Sequence, residues 1–582
     1  MSFKKVLWTS VILLALILSA CAQATPAPPA EEKPAAEKPA EEQPAAPAED
    51  VAARRIRHIV LLSNVQGADP QEFEAARLVV ETLRQLGLDV EHRAIPWEQQ
   101  ADLVWYNRES WDLTAWRMVG RPERMDPDEF IYNLFHSSTA PSGYNFVGYI
   151  NPEYDQVAEA QRSEVDREKR RELVYKAQEI IANDQPYVFW IYPLVSYVYN
   201  NEVWEPDSIV DAAGIGIKNF WTFVNATPKG DQKDMILNSA DVVQAINPLF
   251  ISGAVDSWIT ELIWDRLMRI GPDGLPQPWA AEKVEWIDNT TVEVTLRQGM
   301  KWHDGEPVTV EDVVFSFQAP MMGDEVPMYK PFVAKIQDIE IIDENTVRFK
   351  LKEPYAAFET ASLAKINLIP KHIWEPILKD LMEKPENAES YQEEVPIGSG
   401  PFKFVHWKPA EEVILEANPD HFSPPKMNRW ILRMIPNVEA TLGMLKTGEL
   451  NFLSDYTGDF ELLKSQVDKQ DNLTMVSTVE VGFRFLAFNL RRPPFDDVAF
   501  RRAVATAIPK QVILQSVYKG FGVIADSHVS SALEYWHNPN LPKFGEGDIQ
   551  KAKQILVDAG YEWDDEGRLL YPKGQVETLE SE

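Results

Sequence analysis

The segment from Leu296 to Phe317 constrains the fold of this 582-residue chain more than any other stretch. Apolar and polar residues alternate from 291 to 296, which predicts a β-strand, and Asp304-Gly305 predicts a tight turn. Thr309 and Asp312 then have the spacing of a helix N-terminal capping box, ahead of an apolar face. The segment therefore predicts a strand, a turn and a helix in direct succession.

The composition restricts the class of protein. Apolar residues make up 45% of the chain and aromatic residues 11%, so the chain can bury a large core, and its length indicates more than one lobe. With 57 basic and 90 acidic residues the net charge is −33, which argues against a nucleic-acid partner. Cys21 is the only cysteine in the sequence, so disulfides, thiolate catalysis and cysteine-ligated metals are excluded.

The N-terminal sequence predicts the localisation of the protein. Lys4 and Lys5 precede an apolar run over 6–18 that is too short for an ordinary membrane span. Leu18-Ser19-Ala20-Cys21 follows and resembles a bacterial lipobox, in which Cys21 is lipidated. We expect residues 1–20 to be a lipoprotein signal peptide; the alternative is an uncleaved anchor helix. Either a lipoprotein signal peptide or an anchor helix predicts a protein tethered outside the cytoplasmic membrane, in the periplasm or at the cell surface.

A spacer follows the predicted lipidation site. Beyond Cys21, the stretch up to residue 53 consists mostly of Pro, Ala and Glu, with almost nothing to bury. Such a composition predicts a disordered, self-repelling linker. No later apolar run is long enough to span a bilayer, so the lipid anchor is the only membrane contact predicted.

The first part of the globular region has a β-α-β pattern. Residues 56–62 and 88–95 predict strands, and between them Pro70 to Leu86 predicts a helix that Gly87 ends. This pattern is typical of the α/β class. Three further elements are predicted downstream: a strand at 111–116, a helix at 166–183 and a strand at 186–199.

The amino-acid sequence of the segment 296–317 resembles the hallmark segment of the family 5 extracellular solute-binding proteins, the peptide and nickel type of ABC-importer receptor. Other landmarks of that family follow in its usual order: Asn247-Pro248, residues 398–403, Asn418-Pro419, residues 446–450 and residues 494–498. The resemblance implies an α/β, two-lobed periplasmic-binding-protein fold of type II, in the large family 5 variety with an extra small lobe.

The order of the segments departs from that family. Residues 54–226 look like the C-terminal part of a family 5 protein, whereas 227–582 look like the N-terminal part. We infer a circular permutation in which both segments form one bilobal domain, because permutation is tolerated where native termini lie close together. The competing reading is a fusion of two incomplete copies, whose missing strands would leave open sheet edges.

By position, the resemblance also assigns the lobes. One lobe would combine 187–226, 234–275 and 395–525, with a smaller lobe, 276–394, inserted in it. The second ligand-gripping lobe would combine 54–186 with 526–577. In such proteins the solute lies between two lobes that close by a hinge motion.

Two tryptophans are the first candidates for solute binding. Trp97 and Trp116 occupy positions where the peptide-binding members of the family have tryptophans that line the cleft. A tryptophan offers a large rigid face for stacking on rings, peptide planes or sugars. The alternative is that both residues only pack the core.

One departure bears on the solute. Peptide-binding members have an Asp three residues after the tryptophan that matches Trp116, where it pairs with the ligand's α-ammonium, and here the position is Val119. A neutral or anionic solute therefore gains support: an oligosaccharide, or an acidic compound that meets Arg117 and its neighbours Arg121 and Arg124. Glu123 or Asp126 remains as a substitute carboxylate, and a solvated loop is the alternative for the arginines.

Three further candidates come from the other positions that match the family. Phe485 and Asn489 lie in a strand that resembles the one along the cleft, where backbone groups and the Asn489 amide would meet a ligand. A structural role for Asn489 in the following turn is equally open. Trp536 lies in a loop of the other lobe and is a weaker candidate.

Two classes of function remain. The first is a lipid-anchored, non-catalytic receptor that captures a peptide, an oligosaccharide or a similar solute and delivers it to an ABC permease, or senses it without transport. The second is a secreted carbohydrate-active enzyme with a tryptophan-lined cleft, because a carboxylate pair can never be excluded from sequence. No metal site or cofactor is predicted, since the nine histidines are scattered. We expect a monomer.

Overall fold

The strand, turn and helix that the sequence predicts around Gly305 are all present in the computed structural model of the protein. The Thr309 hydroxyl accepts a hydrogen bond from the Asp312 backbone N–H (3.4 Å), and the Asp312 carboxylate accepts one from the Thr309 N–H (2.9 Å). This pair satisfies N–H groups that the first helical turn leaves without partners. The capping-box prediction is confirmed.

The structure describes residues 51–120, 124–249, 253–322, 329–384 and 391–575. These residues belong to one compact unit of mixed α/β structure. The predicted signal peptide, Cys21 and nearly all of the predicted spacer lie outside them. Within these ranges, no helix has both the length and the apolar character needed to cross a membrane.

The strands are short except for one of fourteen residues. In chain order they are β1 (Ile59–Asn64), β2 (Val90–Ile95), β3 (Leu113–Met118), β4 (Tyr187–Asn200), β5 (Asp234–Ser239), β6 (Met268–Ile270), β7 (Pro276–Pro278), β8 (Ala281–Asp288), β9 (Thr291–Leu296), β10 (Ile336–Ile341), β11 (Thr346–Leu351), β12 (Phe402–Lys408), β13 (Glu412–Ala417), β14 (Arg429–Met434), β15 (Phe452–Leu453), β16 (Leu473–Val479), β17 (Phe483–Phe488), β18 (Gly522–Ile524), β19 (Glu562–Trp563) and β20 (Leu569–Leu570).

The α-helices lie between these strands. They are α1 (Pro70–Gln85), α2 (Trp97–Ala101), α3 (Pro152–Ser163), α4 (Arg167–Asp184), α5 (Phe220–Asn225), α6 (Ala254–Ile263), α7 (Val310–Gln318), α8 (Lys330–Val333), α9 (Lys371–Glu383), α10 (Val438–Thr447), α11 (Phe460–Val467), α12 (Val498–Ala507), α13 (Lys510–Ser516) and α14 (Ile549–Asp558). The predicted β-α-β unit is confirmed. Its first strand begins at Ile59 rather than Ile56, because the Ile56 N–H instead donates to Leu569 O (3.2 Å).

A 12-stranded sheet contains strands from both halves of the chain. Its order is β12-β13-β14-β5-β15-β4-β17-β3-β1-β2, and β16 and β18 also pair with β4. The N-terminal part of β4 pairs with β17, and its C-terminal part pairs with β16 and β15. Strands from the segments 54–226 and 227–582 therefore alternate within one sheet.

The sheet divides into two lobes at β4. The first lobe contains β5 and β12 to β16, with a small lobe formed by the four-stranded sheet β10-β11-β9-β8. The second lobe contains β1 to β3, β17 and β18. Residues 483–525 were expected in the first lobe, but β17 pairs with β3, and α12 and α13 share a buried core with α1. The lobe boundary therefore falls near residue 481, not near 525.

The chain crosses between the lobes within β4, at Pro193, and again between β16 and β17, at Glu480–Gly482. Gly482 lies against the end of β3: a Cβ added there would be 2.2 Å from the Met118 carbonyl oxygen. Only glycine allows this approach. The connection at 480–482 is therefore held directly against the end of β3.

His528 is a fully buried imidazole in the second lobe. It lies against Phe135 and Phe189, at ring-centroid distances of 5.2 and 6.1 Å. Neither ring nitrogen has a hydrogen-bond partner among the residues that the structure describes. Burial, with a smaller effect from His537, lowers the pKa of His528 to about 3. The folded state therefore keeps this ring neutral.

We expect His528 to make the protein acid-sensitive. An unfolded histidine titrates near pH 6.5, so below that pH the unfolded state gains a proton that the folded state excludes. Between pH 7 and pH 5 this difference removes about 2 kcal/mol of stability. In urea unfolding at both pH values, His528→Leu should lose less stability on acidification than the wild type.

His58→Gln provides the control for this measurement. The hydrogen bond that the His58 ring donates to the Asp89 carboxylate raises the pKa of the exposed His58, so this histidine adds stability below its unfolded pKa instead of removing it. An acid loss of the same size in His528→Leu and in the wild type would contradict the assignment.

Candidate functional site

The candidate site lies where the two lobes meet, at the carboxyl ends of parallel strands. Strands β1, β2 and β3 are parallel, so their carboxyl ends share one edge of the second lobe. The last residue of β3, Met118, is paired with Phe483, directly after the crossing at Glu480–Gly482. In α/β sheets, ligands bind in the crevice outside the carboxyl ends of the strands.

Trp97 and Trp116 are brought together at this edge. Trp97 is the first residue of α2 and is 43% exposed, whereas Trp116 in β3 is 2% exposed. Their ring centroids are 4.5 Å apart at an interplanar angle of 49°. Trp116 also contacts Trp105 and Phe146 in the core of the second lobe. Trp97 therefore has the solvent-exposed aromatic ring, and the buried ring of Trp116 packs against it.

Arg117 is already paired. It lies opposite Arg484 across β3 and β17, and both guanidinium groups donate to one carboxylate oxygen of Asp69, each at 2.7 Å. Asp69 also caps the N-terminus of α1. Burial alone would raise the pKa of Asp69, but the two arginines outweigh it and the pKa is lowered. Arg117 keeps 41% of its side chain exposed to solvent.

A carboxylate that the sequence did not reveal lies beside Val119. Glu480, at the lobe crossing, accepts a hydrogen bond from the Gly120 backbone N–H (2.6 Å). Burial raises the pKa of Glu480. Glu480 is far from Val119 in the chain, so no local pattern indicates this contact. The edge therefore has a carboxylate next to the position where the matched family motif has an Asp.

The other polar candidates near Val119 divide into two groups. Arg121 and Glu123 lie outside the described residues. Arg124 donates to the Val119 carbonyl oxygen. Asp126 forms a buried ion pair with Arg170, with oxygen–nitrogen distances of 2.6 and 2.9 Å. Asp126 is therefore occupied and is not a free substitute for the missing Asp.

Phe485 and Asn489 lie in the interior. The Phe485 ring is fully buried and stacks on Tyr187 at a centroid distance of 4.3 Å. The Asn489 amide donates to the carbonyl oxygens of Arg108 and Trp111, each at 2.8 Å, and so joins the end of β17 to the loop before β3. β17 has neighbours on both edges, so its backbone groups bond within the sheet. The structure does not bring these side chains to Trp97.

Trp536 lines a separate cavity of about 280 Å³ between the second lobe and the small lobe. Arg170 lies 5.1 Å from its ring centroid. Across the cavity, Glu359 of the small lobe accepts hydrogen bonds from the Trp286 ring N–H (2.7 Å) and from Arg167 of the second lobe (3.3 Å). Neither Trp97 nor Trp116 lines this cavity. Because the two tryptophans that match the family's cleft lie at the other edge, we take the edge at Trp97 as the candidate site.

The described residues contain no cluster of three or more His, Cys, Asp or Glu side chains that would hold a metal ion. The polar groups at the edge are instead the ion pairs of Asp69 with Arg117 and Arg484, and the Glu480 carboxylate that accepts from the Gly120 N–H. Such an arrangement suits reversible binding of a solute with polar groups and a flat face.

The Asp126–Arg170 pair gives a test of how the second lobe is held next to this site. Asp126→Asn leaves the buried guanidinium of Arg170 without its carboxylate, and we expect a loss of about 3–5 kcal/mol. Asp468→Asn, which breaks an exposed pair with Lys464, should cost less than about 1 kcal/mol. Urea unfolding of the two variants measures both values, and equal losses would contradict the expectation.

Comparisons with known proteins identify similar chains. Residues 276–581, just over half of the chain, match the model of the bacterial extracellular solute-binding proteins, family 5 Middle. The chain is 28% identical to the oligopeptide-binding protein AppA of Bacillus subtilis, over 56% of this chain and 59% of that protein. It is 27% identical to the dipeptide-binding protein of Escherichia coli, over 57% of this chain and 64% of that protein.

A solved structure of AppA from Bacillus subtilis in complex with a nonapeptide is 27% identical and has a TM-score of 0.44. That alignment covers 59% of this chain and 68% of the solved chain. Among the curated relatives, the chain spans between about half and two thirds of the length of the proteins it matches.

Proposed function

Because the chain belongs to family 5 of the bacterial extracellular solute-binding proteins, we propose that it is a receptor that captures a solute between its two lobes and delivers it to an ABC importer. The observation that carries the proposal is the exposed ring of Trp97, which packs at a tilt against Trp116 beside the crossing between the lobes. Closure of the lobes over this edge would remove a stacked solute from water. The role is binding without chemistry.

The proposed solute is a peptide, an oligosaccharide or a similar molecule. The aromatic face of Trp97 suits a sugar ring or a peptide plane equally well. Val119 removes the Asp that grips a free amino terminus in the matched motif, which favours solutes other than ordinary free peptides. Two of the similar proteins are named as oligopeptide-binding and dipeptide-binding, which favours peptides.

The proposed setting is outside the cytoplasmic membrane. Cys21 would carry the lipid, residues 22–53 would act as the spacer, and a monomeric receptor would reach a permease in the same membrane. Cys21→Ala should then move the full-length protein from the membrane fraction to the soluble extracytoplasmic fraction.

Thermal shifts test the binding proposal. We expect at least one class among di- to pentapeptides, neutral oligosaccharides and small acids to raise the Tm, because a ligand at a hundredfold excess over its Kd adds about 2.7 kcal/mol. Trp97→Ala should abolish the shift with little change in the ligand-free Tm. Trp116→Ala should lower both the ligand-induced shift and the ligand-free Tm, because Trp116 is buried.

Trp407→Ala, on β12 of the first lobe, is the matched control and should keep the full shift. Release of a cleaved product from an oligosaccharide would favour the enzyme instead of the receptor. A shift that survives in Trp97→Ala would remove Trp97 from the site.

We propose further that the order of the two segments is a circular permutation of one receptor. Segment 54–226 supplies β1 to β4, which lie between and beside strands of segment 227–582. The two segments also meet where Tyr571 donates from its N–H to the Arg54 carbonyl oxygen (2.8 Å). A break in the exposed stretch 229–233 would not cut a strand.

A rearranged gene tests this proposal. A chain opened at 229–233, with residue 575 joined to residue 54 by a short Gly-Ser linker, should fold and give the same ligand shift as the original. Segments 54–226 and 234–577 expressed separately should not unfold cooperatively, because each lacks strands of the shared sheet. Cooperative unfolding of either segment alone would support the fusion reading instead.

A further inference from the structure

Lys218 lies on the first lobe, on the side that faces the crossing between the lobes. Its ammonium is 3.6 Å from the ring centroid of Trp258 on α6 and 5.5 Å from that of Tyr197 on β4. β15 runs antiparallel to β4, with Leu453 opposite Val198, so the carboxyl end of β15 points along β4 past Tyr197 toward Pro193. Lys218 therefore lies near the carboxyl edge of the first lobe, as Trp97 lies at that of the second.

Lys218 has aromatic rings beside its ammonium but no anion in contact with it within the described part of the chain. Among the residues that the structure describes, its ammonium makes no hydrogen bond to an acceptor and no ion pair within 4 Å. The side chain is half-buried between aromatic rings, and burial lowers the pKa of Lys218 to about 8. A cation held in this way has lost water without gaining an anion.

The acidic groups that face Lys218 come from three elements: Asp455 after β15, Asp241 after β5 and Glu261 on α6. Asp455 already accepts a hydrogen bond from the Ala240 N–H (2.7 Å), and Glu261 lies 3.7 Å from Arg269. They keep Lys218 charged at neutral pH from beyond contact distance.

We propose that Lys218 binds a carboxylate of the solute from the first lobe while Trp97 stacks on the solute from the second. This inference rests on the proposed receptor function and names its solute class: molecules with a flat or cyclic part and an acidic group, such as a peptide with a free carboxyl terminus or an acidic oligosaccharide. A charge-assisted hydrogen bond from the ammonium would form when the lobes close, and a neutral solute would leave Lys218 desolvated and unpaired.

The test compares two matched pairs of probes in isothermal titration calorimetry with the full chain. The pairs are trialanine with trialanine amide, and trigalacturonic acid with maltotriose. In the wild type, we expect the acidic member of at least one pair to bind about tenfold or more tightly than its neutral counterpart. Lys218→Met should remove that preference. Lys283→Met, at an exposed lysine on β8, should keep it.

A second measurement uses only the wild type. Trace acetylation with acetic anhydride, read by peptide mass spectrometry, reports the reactivity of the Lys218 amine. The acidic probe should protect Lys218, and its neutral counterpart should not. This readout stands even if Lys218→Met fails to fold.

The outcomes separate the two proposals. If maltotriose or trialanine amide binds the wild type and Lys218→Met as tightly as the acidic probes do, the receptor function stands and the role of Lys218 is overturned. If an acidic probe binds but does not protect Lys218, the role of Lys218 is again overturned. If none of the four probes binds the wild type, the role of Lys218 in binding carboxylates is overturned. The receptor function is then tested by the thermal shifts with the wider set of peptides, oligosaccharides and small acids.

Discussion

The backbone pairing of β4 is the constraint on which the rest of the structure depends. This strand bonds to β17 and β18 with its first half and to β16 and β15 with its second half, so it belongs to both lobes at once. Its side chains from Tyr187 to Tyr192 are all buried. A strand paired on both edges and covered on both faces holds its backbone groups away from water. The lobes of this family 5 fold are therefore joined by a continuous sheet instead of a loose linker.

Close packing joins the second crossing to the end of β3. Gly482 lies against the Met118 carbonyl, and the Glu480 carboxylate holds the Gly120 N–H. Because these contacts join the crossing to the end of β3, we expect the edge that carries Trp97 and Arg117 to follow the crossing when the lobes close. A change in the angle between the lobes thus acts directly on the candidate site, without a chain of intermediates.

Charged groups around the cleft differ in how completely they are paired. Arg117 and Arg484 share Asp69, and Arg170 pairs with Asp126, so burial of these ions is offset by contacts within the second lobe. Lys218 in the first lobe has ring contacts only within the described part of the chain. Paired ions stabilise the fold, whereas an unpaired one raises the free energy of the empty cleft. That asymmetry is what makes Lys218 a candidate for the solute and Asp126 a poor one.

The sequence by itself determined the local elements and the family. The capping box at Thr309, the β-α-β unit and the landmarks of the matched segment depend on neighbouring residues, and such patterns can be read along the chain. Only the tertiary structure decided which candidates meet. It placed Phe485 and Asn489 in the interior, moved residues 483–525 into the second lobe, and set Glu480 beside Val119. The physical reason is that strand pairing and side-chain burial bring together residues that are hundreds of positions apart in the chain. No local sequence pattern predicts the order of the strands in the sheet.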